Sequence, residues 1–249
     1  RLEDIDRWDD FAKLYNEQAK SNTVCFRPFT ADPGLGDLNR VERSIGYKFK
    51  EKRLLAEALT HATSIKPQTS CYQRLEFLGD AVLDMLVARH WAQKYPISGP
   101  GKIHAIKAAS INNQILGVMC IRLGLHQHIL HMSSELSSDI KRAVYTLNDA
   151  MEDARATPAG EPEGEFWEDF NYSKVLGDVL ESVFGAVYVD SGFDFSEVEG
   201  VFERCIKPML QKHISMATLK GHPVTALISR VQNEGCSEVT LKNITDPSS

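Results

Sequence analysis

The chain lacks any cysteine pattern. Its five cysteines, Cys25, Cys71, Cys120, Cys205 and Cys236, are scattered, odd in number and never spaced CxxC. That excludes a disulfide framework and a cysteine zinc site, and it fits reduced thiols in an intracellular protein, cytoplasmic or nuclear. Long apolar runs are also missing, since nothing approaches the roughly 20 residues that span a bilayer, so no membrane partner is expected. The opening RLEDIDRWDD is acidic and polar, unlike a secretory signal. With Arg1 in place of an initiator methionine, a fragment or a processed chain is expected. An excess of basic charge is absent too: 28 Lys and Arg stand against 34 Asp and Glu, a net charge of −6. A dedicated nucleic-acid binder usually shows the reverse. The deficit is local, however. Seven acids lie in positions 151–170 against one base, Arg155, and the rest of the chain carries 27 charges of each sign.

What is present is enough apolar material for a core. Of the 249 residues, 43% are hydrophobic and 25% charged, which suits one large domain with pieces of others. Residues 1–40 read as a leader, with an amphipathic helix over 5–20 and the loop FRPFTADPGLGD. From Val41 the text turns helical. RVERSIGYKF ends a short helix near Gly46, and KEKRLLAEALTHAT sets Leu54, Leu55, Ala58 and Leu59 on one face. The pattern predicts further helices over 72–95, 103–123, 134–153, 174–190 and 195–213. Leu75, Leu78, Val82, Met85, Leu86 and Ala88 form the apolar stripe of the first of these. Pro, Gly and Glu dominate 154–170, which reads as a mobile acidic loop. Alternating β patterns are confined to SEVTLKNIT near the end. The expected fold class is all-α, with a different fragment appended.

Two acid pairs interrupt the apolar helices. QRLEFLGD places Glu76 and Asp80 four apart, and VLGDVLESVFGAVYVDSG places Asp178 and Glu181 three apart. Residues at those spacings share a helix face, so each pair can address one point. One such pair alone is more often the mark of a solvated helix surface, and for two pairs that reading stands level with the functional one. Two pairs, flanked by Gly79 and Gly177 within apolar text, would repel unless a counter-charge met them. Oxygen-only donors suit Mg²⁺ or Mn²⁺, and two such ions can clamp the oxygens of a phosphoryl displacement.

QRLEFLGDAVLDMLV closely resembles the signature ERLEFLGDAVL of the ribonuclease III family. GYKFKEKRLLAEALTHAT is similar to that family's first core helix and its THxS corner, and KVLGDVLESVFGAVYVDSG to its second catalytic helix. The three occur in the family's order, over about residues 41–213. CYQRLEFLGD, the acidic insertion and the closing motif resemble the second ribonuclease III domain of the Dicer branch. HPVTALISRVQNEG with SEVTLKNIT resembles the start of an α/β double-stranded RNA-binding domain at 222–249, truncated by about forty residues. The resemblance implies a catalytic domain over 41–215. It also implies that Glu76, Asp80, Asp178 and Glu181 are catalytic metal ligands holding Mg²⁺ or Mn²⁺, two ions per centre. The implied reaction is hydrolysis of double-stranded RNA to 5′-phosphate and 3′-hydroxyl ends, as in the processing of small-RNA precursors. Two departures stand out. Gln73 occupies a place often held by Glu, and Pro100 stands where bacterial members carry another acid.

The resemblance further implies that Phe77, Leu78, Val82 and Met85 pack against a second ribonuclease III domain, or against a second copy when the fragment is alone. Gln73, Lys102, Lys107 and Lys174 are candidate RNA contacts, and for the lysines a solvated surface is the competing reading. Lys174, four before Asp178, also suits a partner role in the acid cluster. His61 in LTHAT is expected to hold a helix end by hydrogen bonding. His126, His128 and His131 read as helix-surface or interface residues, with a zinc site disfavoured by the absence of nearby ligands. Two other functions remain open: a non-catalytic module of the same fold that binds or pairs, and an all-α nucleotide pyrophosphohydrolase with ExxE-type helices. The second gives no reason for the FLGD signature.

Overall fold

The computed structural model describes residues 37–64, 71–156 and 173–216. Among them are nine α-helices and no strand, apart from one isolated bridge between Thr60 and Leu130. The helices are α1 Leu38–Ile45, α2 Lys52–Ala58, α3 Gln73–Lys94, α4 Pro100–Ser110, α5 Asn113–Arg122, α6 Ser134–Ala156, α7 Lys174–Asp190, α8 Phe195–Cys205 and α9 Lys207–His213. No helix among the described residues is long and apolar enough to cross a membrane.

Local chemistry sets most of the boundaries. Asp37 accepts the Asn39 N–H at 3.0 Å to open α1, and Gly46 closes it in the left-handed region at φ 70°. Asn112 accepts the Ile115 N–H at 2.9 Å and so starts α5. This cap divides the single helix expected over 103–123, because Ile111 leaves the helical region and Asn112 is extended between α4 and α5. Pro100 stands in the first turn of α4, where its missing N–H costs nothing. Pro208 likewise divides the helix expected over 195–213. It has no N–H to continue α8, but it fits the first turn of α9. Helix α1 begins at Leu38, which is buried, three residues before the expected domain edge. Helix α6 continues through 154–156, the first residues of the expected acidic loop. The rest of that loop, most of the 1–40 leader and the 222–249 segment lie outside the described residues.

Helix α7 is the axis of the domain. It packs against α3, α5, α2 and α8, and thirteen of its residues are buried, from Leu176 to Asp190. Its apolar side chains Leu176, Val179, Leu180, Val183, Phe184 and Val187 are fully enclosed. Burial on this scale supplies roughly 1.5–3 kcal/mol for each large apolar side chain, before the entropy cost of ordering it. Helix α3 is its main neighbour and buries one face: Leu75, Gly79, Val82, Leu83, Leu86, Val87 and Trp91.

A candidate carboxylate centre

Helices α3 and α7 meet backbone to backbone. A Cβ on Gly79 would stand 1.8 Å from the Glu181 carbonyl oxygen, and one on Gly185 would stand 2.1 Å from that of Leu75. Only glycine permits this approach, and one glycine on each helix makes it. The consequence is chemical. The turn of α3 bearing Glu76 and Asp80 is pressed against the turn of α7 bearing Asp178 and Glu181.

Glu76, Asp178 and Glu181 offer carboxylate oxygens that all lie within 4.8 Å of one another. Asp80 is exposed and falls outside this tight group, but its charge still acts on Glu181. Asp178 is the most enclosed of the three, with its side chain only 8% exposed. The Tyr72 hydroxyl donates to its Oδ2 at 3.2 Å, and the Lys174 ammonium donates to its Oδ1. Lys174 also donates to Glu76 Oε1 at 3.2 Å. The hydrogen bond to Asp178, reinforced by that to Glu76, pushes the lysine up to about 12. Among the described residues no donor reaches the Glu181 carboxylate. Its burial, and then the charges of Asp80, Asp178 and Glu76, push it up to about 8. One lysine therefore falls short of neutralising the cluster. An all-oxygen set short of positive charge is what a hard divalent cation fits.

The surroundings hold this set in place. The Ser182 hydroxyl lies 2.6 Å from the Ala58 carbonyl oxygen, tying α7 to α2. His61 Nδ1 pairs with the Thr63 hydroxyl at 2.8 Å and accepts the Thr63 N–H at 3.2 Å. That fastens the turn after α2, as its place in LTHAT suggested, and its ring leans on Tyr72 at 5.7 Å. Tyr72 itself was missed. The signal lay in CYQRLEFLGD, but only the fold shows that the phenol crosses to α7.

Residues 73–192 match the family described as the Ribonuclease III domain. The chain belongs to the ribonuclease III family. Over 200 residues it is 40% identical to "Endoribonuclease Dicer homolog 2" of Arabidopsis thaliana, covering 80% of this chain and 14% of that protein. It is 38% identical over 200 residues to "Endoribonuclease Dicer homolog 1" of the same plant, covering 80% and 10%. With "Dicer-like protein 1" of Aspergillus oryzae it shares 36% identity over 212 residues, covering 83% and 14%. The chain thus spans about a seventh or less of the length of these Dicer relatives.

Within this ribonuclease III domain the remaining candidates divide. Phe77 and Met85 are 82% and 57% exposed, the pair that α3 leaves uncovered. Val82, expected on the same docking face, is instead 6% exposed and part of the core, and Leu78 is packed against that core. The reason is helical phase: Val82 lies three residues past Gly79, on the α7 side, whereas Phe77 and Met85 point away from it. Lys107 is held by Asp84 at 2.6 Å, while Lys102 and Gln73 are exposed. His128 is buried rather than on the surface, and burial holds both His128 and His126 below the usual histidine range. Among the described residues these histidines form no metal-holding group.

A separate concavity of about 400 Å³ is lined by Arg43, Arg122, Arg204, Lys212 and His213. Each of these stands in the last turn of its helix. There a cation answers the partial negative charge of the terminal carbonyls, and Arg204 donates to the Gly46 carbonyl at 3.0 Å. Helix-end neutralisation accounts for them without a ligand.

Proposed function

We propose that the chain is a divalent-cation-dependent endoribonuclease that cuts double-stranded RNA to 5′-phosphate and 3′-hydroxyl ends. The names of its Dicer relatives assign endoribonuclease activity to those proteins. The observation that carries the reading is the convergence of Glu76, Asp178 and Glu181 from two helices, short of positive charge. Mg²⁺ or Mn²⁺ suits the donor set. Asp80, one turn beyond Glu76, is the fourth acid that a two-ion centre would use. When bound, the cations offset the acids and polarise the scissile phosphate. The chain's own residues do the rest. Asp178 and Glu181 hold the floor of the site, Lys174 bridges Asp178 and Glu76, and Gln73 and Lys102, both exposed, are the candidates to meet the duplex backbone. Duplex RNA is read by shape rather than sequence.

The deciding experiment is cleavage of an end-labelled RNA duplex with Mg²⁺, with chelator, and with Asp178→Asn. We expect cutting in the first alone, with a loss on the order of a thousandfold, about 4 kcal/mol of barrier. Duplex binding without cutting under any condition would favour the non-catalytic module. Hydrolysis of free nucleotides with intact duplex would favour the pyrophosphohydrolase.

One domain offers one centre, so cutting both strands calls for a second domain alongside. Phe77 and Met85 are the docking face in this reading, meeting a copy of themselves across a two-fold axis when the fragment is alone. Sedimentation should show a dimer for the wild type and a monomer for Phe77→Asp, with helicity unchanged. A wild-type monomer at high concentration would refute the homodimer.

A further inference from the structure

Tyr72 occupies a junction that no catalytic role claims. It is buried, and it stands immediately before α3. Its N–H donates to the Thr60 carbonyl at 3.0 Å, and its own carbonyl accepts the Glu76 N–H at 2.8 Å. Its backbone therefore starts the turn that carries Glu76. Its side chain leaves that helix, runs beside His61 and donates to Asp178 Oδ2 on α7. One residue thus fixes an acid on each helix, one through the main chain and the other through the phenol.

The Asp178 carboxylate is held from both sides. Lys174 takes Oδ1 and Tyr72 takes Oδ2. A carboxylate has about four lone-pair positions, so two remain after these contacts. Lys174 sits on a long, 64% exposed side chain, and a contact of that kind orients weakly because solvent and rotamer freedom compete with it. The phenol is different. It is rigid beyond two torsions and enclosed by the fold, so its direction is set before any ligand arrives. Removing its hydroxyl would leave Asp178 free to turn about its terminal torsion, with only the mobile ammonium to guide it.

We propose that Tyr72 is a positioning residue: its hydroxyl fixes the rotation of the Asp178 carboxylate and so sets the affinity of the three-acid cluster for a divalent cation. The inference rests on the metal-dependent reading of the site. Partners that hold a ligating group in this way contribute roughly tenfold to hundredfold in metal affinity.

The test is a cation titration without RNA, following Mn²⁺ binding by the relaxation of solvent protons. The proteins are the wild type, Tyr72→Phe, Asp178→Asn, Glu181→Gln and the double variant Tyr72→Phe/Asp178→Asn. Phe keeps the ring and its packing and deletes only the donor. We expect Tyr72→Phe to bind Mn²⁺ roughly tenfold more weakly or worse, with cleavage recovering at high Mn²⁺. In the Asp178→Asn background the same change should cost little further, since the carboxylate it orients is gone. Equal affinity in wild type and Tyr72→Phe would overturn the proposal, as would strictly additive losses in the double variant. A lower melting temperature with unchanged affinity would also overturn it, leaving Tyr72 a packing residue. If Tyr72→Phe does not fold, the cycle is run with fluorotyrosine at position 72, which strengthens the donor and should raise affinity only while Asp178 is present. An unchanged affinity would again overturn the proposal. Unaltered Mn²⁺ binding in Glu181→Gln and Asp178→Asn would sink the metal reading itself, an outcome separable from failure at Tyr72 alone.

Discussion

Helix α7 carries a buried acid at its C-terminal end and a half-buried one at its middle, and the two are treated in opposite ways. Asp190, at the C-terminal end, accepts the Tyr47 hydroxyl at 2.8 Å and the N–H groups of Lys50 and Glu51 at 2.9 and 2.8 Å. Three donors satisfy it, and it ties the chain between α1 and α2 to the central helix. Glu181, two and a half turns earlier, has no hydrogen-bond donor among the described residues and faces three other acids. A carboxylate enclosed with donors is architecture. One enclosed without them is a cost that the fold retains for another purpose. Both are carboxylates on one helix; the partners decide the role.

The comparison breaks if the two acids respond alike to removal. Asp190→Ala strands two backbone N–H groups and a phenol, so it should destabilise the domain by about 3 kcal/mol, the scale of losing hydrogen bonds to a charged group. Denaturant unfolding would measure this, and residual cleavage below the new midpoint should stay near wild type. Glu181→Gln should do the reverse, abolishing cleavage while the cation-free protein unfolds no more easily than before. Equal losses of stability in both would remove the distinction.

The next effect tests how the acids of α7 are brought to those of α3. Gly79→Ala drives a methyl group into the Glu181 carbonyl. Overpacking of this kind costs about 1–3 kcal/mol, and here the backbone of α7 has to give. Gly101, in the first turn of α4, has nothing within 4 Å of the same methyl. Gly101→Ala should stabilise by about 0.5–1 kcal/mol through reduced chain entropy. Thermal melts of the pair should therefore move in opposite directions, and cleavage should fall only in Gly79→Ala.

Much of this was legible in the chain itself. The helical periods located α7 in full and α3 within a residue, and the acid spacings with FLGD marked four acids, three of which the fold brings together. The errors share one physical origin. The sequence shows that α3 has apolar residues on more than one side but not the direction of approach, and the docking face implied by the resemblance sets Val82 beside Phe77 although the Gly79 contact turns it inward. The single helices expected over 103–123 and 195–213 concealed a cap at Asn112 and a proline at 208, whose local chemistry outranks a continuous apolar stripe. Tyr72 could not be found at all from spacing, because its partner lies 106 residues away.

The smallest effect sharpens the contrast through pH. The Glu181 carboxyl is raised from 4.5 to about 8, so the folded protein binds that proton more tightly than the unfolded chain does. Its contribution is fully present below about pH 4.5 and is lost as pH rises through about 8. The histidines held low by burial, His61, His90, His126 and His128, have the opposite sign, but their effect is complete once the unfolded chain has lost its own protons near 6.5. The thiols of Cys120, buried, and Cys205, partly buried, are both raised and act only above about 9. Between pH 7 and 8 Glu181 is left, among the described residues, as the principal source of slope. In chelator, the melting temperature should therefore fall across that interval, and Glu181→Gln should flatten it. Added Mg²⁺ should reverse the trend, because the cation competes with the proton for the same oxygens and stabilises the folded state by binding it. Asp190→Asn, though destabilising throughout, should keep the wild-type slope. A slope that survives in Glu181→Gln would mean that the acid lacking donors is not the one that titrates.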